Sequence, residues 1–122
     1  MIFYRPAKGI ITSTFEPSSN RNGIFIATSP SELVTCVQEG TVIYAAFTFD
    51  FGWVIQVQHP DNYISIYKNN TGLLKKSGDR VKAGEAIAVT GQNYTETGSA
   101  EQFYFELWNK GQAVNPEEVI IF

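Results

Sequence analysis

The sequence has little of the chemistry that most metal and redox sites use. Among its 122 residues there is one cysteine, Cys36, and one histidine, His59. A single cysteine excludes an internal disulfide, and one residue of each kind cannot supply the usual nitrogen and sulfur ligands of zinc. Cys36 lies in an apolar segment that predicts a buried thiol, and His59 beside Pro60 predicts a structural imidazole at a strand end. No second histidine is present to activate a serine nucleophile.

Positive charge and long apolar runs are also scarce. Nine Lys and Arg stand against 12 Asp and Glu, so the net charge is -3 and the sequence pI is about 5.0. Without a basic stripe for phosphates, the composition argues against nucleic acid as a partner. No segment approaches the roughly 20 apolar residues that span a bilayer, and the N-terminal residues lack the apolar run of a signal peptide. If the protein is exported, we expect its targeting segment to lie outside this sequence.

The chain does have a regular series of short apolar or alternating segments separated by turn residues. Its composition is 43% hydrophobic and 14% aromatic, enough for one packed core. The pattern predicts an all-β, compact antiparallel sandwich or barrel-like single domain over residues 1–122. Strands are predicted at 23–27, 33–37, 41–46, 53–58, 63–67, 86–90 and 102–108, with breaks at 17–22, 59–62, 78–79, 83–84 and 91–100.

The period of two in these strands predicts which side chains share a face. In the early strand Arg21 and Phe25 lie on one face, and the two isoleucines between Gly23 and Ala27 lie on the other, as core. In the late strand the apolar face holds Phe103, Phe105 and Leu107. The opposite face of that strand is polar and aromatic, and comprises Gln102, Tyr104, Glu106 and Trp108.

Several ordered motifs resemble those of a known family. They are KGIITSTF at 8–15, GIFIA at 23–27, EGTVIYA at 39–45, GDRVKAG at 78–84, FEL at 105–107 and VNP at 114–116. Their order and spacing are similar to the LytM, or lysostaphin-like, metallopeptidase domain. The C-terminal stretch looks most like the murein hydrolase activators of the EnvC type, and the match covers nearly the whole chain. The resemblance implies the C-terminal part of a longer protein of the bacterial envelope, periplasmic or otherwise extracytoplasmic.

The same resemblance implies a zinc site whose residues are substituted here. Active members use His-x-x-x-Asp on an early strand, His-x-His on a late strand and a middle histidine. These positions fall on Arg21 and Phe25, on Gln102 and Tyr104, and on Asn69. Phe25 has no lone pair, Arg21 carries a fixed positive charge, and the others are poor zinc ligands at neutral pH. We therefore expect no cofactor, no metal and no catalysis.

A vacated peptidase groove rebuilt from aromatic and hydrogen-bonding side chains suits protein recognition. The predicted partner-binding groove comprises Arg21, Phe25, Asn69, Gln102 and Tyr104, with Trp53, Tyr67 and Glu106 as flanking residues. The resemblance implies a cell-wall amidase, or another division or envelope protein, as the partner, and murein hydrolysis as the regulated process.

Other interpretations remain open from the sequence. Phe25 and Tyr104 could simply fill the empty metal position as additional core. The domain could be a passive scaffold or a peptidoglycan-binding module. Residual zinc endopeptidase activity would need carboxylates such as Glu101 or Glu106, and oxygen ligands alone favour other cations.

Overall fold

The computed structural model describes residues 1–91, 93–94 and 100–122. This part of the chain contains twelve β-strands and three single-turn 3-10 helices, and no α-helix. None of these helices is long and apolar enough to cross a membrane. The strands are β1 Ile10–Ser13, β2 Ile24–Ala27, β3 Leu33–Thr35, β4 Gly40–Thr48, β5 Gly52–Gln58, β6 Tyr63–Leu73, β7 Arg80–Val81, β8 Ala86–Thr90, β9 Asn93–Tyr94, β10 Ala100–Glu101, β11 Phe103–Asn109 and β12 Gln112–Val114.

Ten of these strands form one antiparallel sheet, in which neighbours run in the order β1-β2-β11-β6-β5-β4-β7. Strand β12 extends β11 as a hairpin, and β8 joins β6 to β3. Strands β9 and β10 form a separate two-stranded pair. The early strand β2 thus lies beside the late strand β11, with the middle strand β6 on the other side of β11.

The core lies on one face of the strands around β11. The alternation predicted for β2 and β11 is present, since Ile24, Ile26 and the apolar residues of β11 are all buried. They pack with Ile55 and Val57 of β5 and with the buried residues of β3 and β8. The opposite face of β2, β11 and β6 is therefore left to carry the polar and aromatic residues.

The predicted all-β antiparallel architecture is confirmed, and each predicted strand has a counterpart in the sheet. The short strands β1, β7, β9, β10 and β12 were missed, because two to four residues give too little alternation to recognise. Strand β6 runs six residues beyond its predicted end at Tyr67, through a bulge described below. Within the predicted break at 91–100, residues 92 and 95–99 lie outside the described residues.

Candidate functional site: a pocket across three strands

A pocket of about 320 Å³ opens on the face of the sheet opposite the core. Its walls come from the loop before β2, from β2, β11 and β6, and from the turn between β4 and β5. The lining residues are Asn20, Arg21, Phe25, Phe51, Lys68, Asn69, Tyr104 and Glu106.

Strand register places three lining residues in a row across the sheet. Tyr104 is the Cα partner of Phe25 on β2 and of Lys68 on β6. The rings of Phe25 and Tyr104 pack with their centroids 4.6 Å apart and their planes at 49°. Such aromatic pairs contribute roughly 0.5–1.5 kcal/mol beyond their buried area. Tyr104 is only 8% exposed, so it forms the back wall of the pocket rather than its rim.

A bulge in β6 turns two consecutive side chains into the pocket. Asn69 has a φ of 66°, in the left-handed region that asparagine tolerates better than most residues. The pairing of β5 with β6 skips a residue at this point, between Trp53 and Ile55. A regular strand would send Lys68 and Asn69 to opposite faces, whereas a bulge redirects a side chain without ending the strand. Both residues consequently line the same pocket.

The turn between β4 and β5 brings Phe51 over this bulge. The Thr48 side chain accepts a hydrogen bond from Phe51 N, and the backbone N–H of Asn69 donates to Phe51 O at 2.7 Å. Lys68 Nζ lies 4.1 Å from the centroid of the Phe51 ring and 5.6 Å from that of Tyr104. This geometry allows a cation–π interaction that holds the ammonium group inside the pocket.

Two carboxylates balance the two cations of the site. Glu106 Oε2 lies 3.8 Å from Lys68 Nζ, and Glu106 Oε1 accepts a hydrogen bond from Trp108 Nε1 at 2.9 Å. Arg21 is paired with Glu16 at 3.0 Å, and backbone hydrogen bonds between Arg21 and Glu16 close the loop around the turn at Pro17–Ser19. The Arg21 charge is therefore already partnered before any ligand arrives.

The Tyr104 hydroxyl stays protonated in this environment. Burial raises the pKa of Tyr104 far above its usual value, and the adjacent Glu106 carboxylate raises it further. The site thus offers a neutral phenol, an amide and paired charges.

Gly23 permits the close approach of β2 to β11 at this site, since a Cβ at Gly23 would lie 2.2 Å from Phe105 O and 2.8 Å from Glu106 Cγ.

Most of the residues in the predicted groove come together. Arg21, Phe25, Asn69, Tyr104 and the flanking Glu106 all line the pocket. A role for them in partner binding stays a prediction.

Gln102 and Trp53 lie outside the pocket lining. The Gln102 side chain accepts a hydrogen bond from Thr12 Oγ1, and its backbone carbonyl accepts one from Asn69 Nδ2 at 2.9 Å. Gln102 therefore supports the pocket through Asn69. Trp53 packs edge-on against Phe47, with ring centroids 5.5 Å apart, on the β4–β5 hairpin.

The placement of Tyr67 beside the groove is wrong, because this side chain is fully buried on the core face. Its hydroxyl accepts from Val37 N–H at 3.1 Å and lies 2.7 Å from Ser65 Oγ, which in turn lies 2.7 Å from His59 Nε2. His59 Nδ1 donates to Glu39 O at 2.8 Å, which fixes the neutral tautomer and leaves Nε2 to accept from Ser65. His59 belongs to this buried network, remote from the pocket.

The residues at the metal positions do not fit a zinc ion. Arg21 is ion-paired with Glu16, Phe25 has no donor atom, and Asn69 uses its Nδ2 group on a backbone carbonyl. Within the described part of the chain, no three His, Cys, Asp or Glu side chains lie close enough together to hold a metal. We therefore derive no metal-dependent step for this site.

Sequence reasoning missed three lining residues: Asn20, Phe51 and Lys68. A signal for Lys68 exists, because it has the opposite parity to Tyr67 in the middle strand and thus shares a face with Ile66. Phe51 has no such signal, since a loop residue lacks periodicity and its position depends on the hydrogen bonds of the turn.

Comparison with known proteins assigns this chain to a family. The sequence model of peptidase family M23 matches residues 19–116. Murein hydrolase activator NlpD of Escherichia coli (strain K12) is 35% identical over 113 residues, which cover 91% of this chain and 29% of NlpD. Murein hydrolase activator EnvC of the same strain is 34% identical over 95 residues, which cover 78% of this chain and 22% of EnvC.

A solved structure of Csd3 from Helicobacter pylori has the same fold. It superposes with a TM-score of 0.84 at 22% identity, and the match covers 100% of this chain and 34% of Csd3. The chain spans less than a third of the length of the curated relatives NlpD and EnvC. The protein therefore belongs to peptidase family M23, in which its similarity extends to murein hydrolase activators.

Proposed function

We propose that this domain is a non-catalytic member of the family that binds a protein partner through the three-strand pocket and regulates cell-wall hydrolysis. The observation that carries the proposal is the chemistry of the pocket. At positions where the family resemblance implies metal ligands, the pocket has a packed Phe25–Tyr104 pair and an Arg21 that is ion-paired with Glu16.

The partner we propose is a cell-wall amidase or a division protein that controls one. Two relatives that cover most of this chain bear the name murein hydrolase activator. Others are named as lipoproteins, which supports an extracytoplasmic location for this protein too. That residues 1–122 are one domain, the C-terminal part of a longer envelope protein, stays a prediction.

The test measures murein release from dye-labelled sacculi by a cell-wall amidase of the same organism, with and without this chain. We expect no release by the chain alone, even with added Zn²⁺, and a faster release when the chain and the amidase are combined. Zinc-dependent release by the chain alone would restore the endopeptidase interpretation. Capture of an envelope protein or binding to sacculi, without any change in amidase rate, would favour the passive scaffold or murein-binding module.

A matched pair of variants on one hairpin tests the pocket itself. Phe51 lines the pocket and is 42% exposed, whereas Phe49 is 97% exposed and lies outside the lining. Phe51→Glu should lower the apparent affinity for the partner at least about 10-fold, since anchor residues dominate binding energies. Phe49→Glu should stay within about 3-fold of the wild type. Wild-type activation by Phe51→Glu would show that the partner binds elsewhere.

A further inference from the structure

One residue of the pocket lining carries a buried hydrogen-bond acceptor that has no donor among the described residues. Asn69 is 7% exposed and lines the pocket. Its Nδ2 donates to Gln102 O, and this contact fixes the amide, because the reversed orientation would oppose two oxygens. Its Oδ1 is buried and, among the described residues, accepts from no group. A buried acceptor left without a donor is costly, so an occupant that supplies an N–H would be favoured.

The residue before Asn69 has donor capacity to spare. The Lys68 ammonium carries three N–H groups, and the carboxylate oxygen with which it pairs among the described residues, on Glu106, is 3.8 Å away. That distance is too long for a hydrogen bond. Because of the bulge, Lys68 and Asn69 line the same pocket, so consecutive residues offer one donor and one acceptor to an occupant.

The balance of charge disfavours an ionic occupant. Among the described residues, four charged groups at the site form two pairs, Arg21 with Glu16 and Lys68 with Glu106, so their formal charges cancel. A carboxylate would gain Lys68 but would face the lone pairs of Asn69 Oδ1 and the charge of Glu106. An ammonium group would gain Asn69 Oδ1 but would meet the Lys68 charge. An uncharged group that carries a donor and an acceptor side by side avoids both conflicts.

We infer that the pocket takes a primary carboxamide, the end group of a Gln or Asn side chain on the partner segment. Its N–H donates to Asn69 Oδ1 and its carbonyl accepts from Lys68 Nζ, while its methylene groups pack against Phe25 and Phe51. A peptide unit has the same polar groups but is flanked by chain on both sides, whereas an end group can reach a buried floor alone. This inference rests on the proposed function and specifies what the partner presents.

The test is an NMR titration of the chain with five probes of six heavy atoms each. The probes are butyramide, its isomer N-methylpropanamide, butyrate, pentan-2-one and pentylammonium. We expect butyramide to shift the side-chain amide signals of Asn69 with the highest affinity. Pentan-2-one lacks the donor and should bind about 3- to 10-fold more weakly, in line with the loss of one hydrogen bond. Equal or tighter binding of butyrate or pentylammonium would overturn the inference, and tighter binding of N-methylpropanamide would assign the pocket to a peptide unit instead.

Two matched variants test whether butyramide binding depends on the side chain of Asn69. Asn69 and Asn62 have φ values of 66° and 65°, so glycine is sterically acceptable at both positions. Asn69→Gly removes the acceptor and should weaken butyramide binding about 3- to 10-fold, whereas Asn62→Gly, at the turn before β6, should leave it unchanged. Undiminished binding to Asn69→Gly would refute the role of Asn69. The probe series on the wild-type chain decides the ligand class independently of how well either variant folds.

The amidase assay separates this inference from the proposed function. If the chain activates no amidase but butyramide binds with the expected preference, the proposed function fails and carboxamide recognition stands. If the chain activates the amidase and Asn69→Gly activates it equally well, carboxamide recognition fails and the proposed function stands.

Discussion

Replacing Tyr67 by phenylalanine tests whether this residue belongs to the core or to the groove. The hydroxyl of Tyr67 is the only group in the described structure to which the buried Val37 N–H donates, at 3.1 Å, and it contacts buried Ser65 at 2.7 Å. Without it, the Val37 donor is buried and unpaired, at a cost of about 1–3 kcal/mol. The loss of the Ser65 contact adds to this, so we expect Tyr67→Phe to lower the free energy of unfolding by about 2 kcal/mol.

Urea unfolding followed by circular dichroism measures this change. The midpoint should fall while the m-value stays constant, and the melting temperature should drop by roughly 6–10 °C for a chain of this size. Tyr44→Phe is the control, because Tyr44 is 40% exposed and its change should stay within about 0.5 kcal/mol. The reasoning is refuted if Tyr67→Phe is as stable as Tyr44→Phe, or if it loses partner binding at unchanged stability.

Two further predictions concern the sheet contact and the buried imidazole. Gly23→Ala should lower stability by about 2 kcal/mol or more, because its Cβ would lie 2.2 Å from Phe105 O and the two strands would have to separate; thermal unfolding of the variant measures this. Burial lowers the pKa of His59 below 6.5 in the folded chain, so the unfolded chain binds its proton first as the pH falls. Stability should therefore decrease with a slope of up to about 1.4 kcal/mol per pH unit below pH 6.5, and His59→Gln should lack this part of the slope in urea titrations between pH 5 and 8.

The parts of the site that follow strand periodicity could be predicted from sequence. Phe25 on β2 and the pair Tyr104 and Glu106 on β11 have unbroken alternation around them, so their face could be counted from the apolar residues. Arg21 lies before β2, outside the strand, yet it lies on the face that the alternation predicts. The hydrogen-bonded turn from Glu16 to Arg21 holds it on that side of the sheet.

The parts that depend on a bulge or a turn could not be predicted in this way. The prediction that Tyr67 flanks the groove fails because Tyr67 shares a strand face with Ser65, and the structure buries both residues on the core side. The left-handed φ of Asn69, two residues after Tyr67, breaks the alternation, and no apolar pattern marks that break. Phe51 is held at the pocket by one backbone hydrogen bond from Asn69 and by its own N–H donating to Thr48 Oγ1, and the contact with Asn69 depends on tertiary structure.

The row of Phe25, Tyr104 and Lys68 across β2, β11 and β6 has a consequence for folding. Each of these residues comes from a distant part of the chain, so long loops must close before the three strands are adjacent. The pocket cannot form in a local fragment or an early intermediate, so the partner we propose would select only fully folded molecules. Its binding would stabilise the folded chain by mass action, to an extent that grows with the partner's concentration.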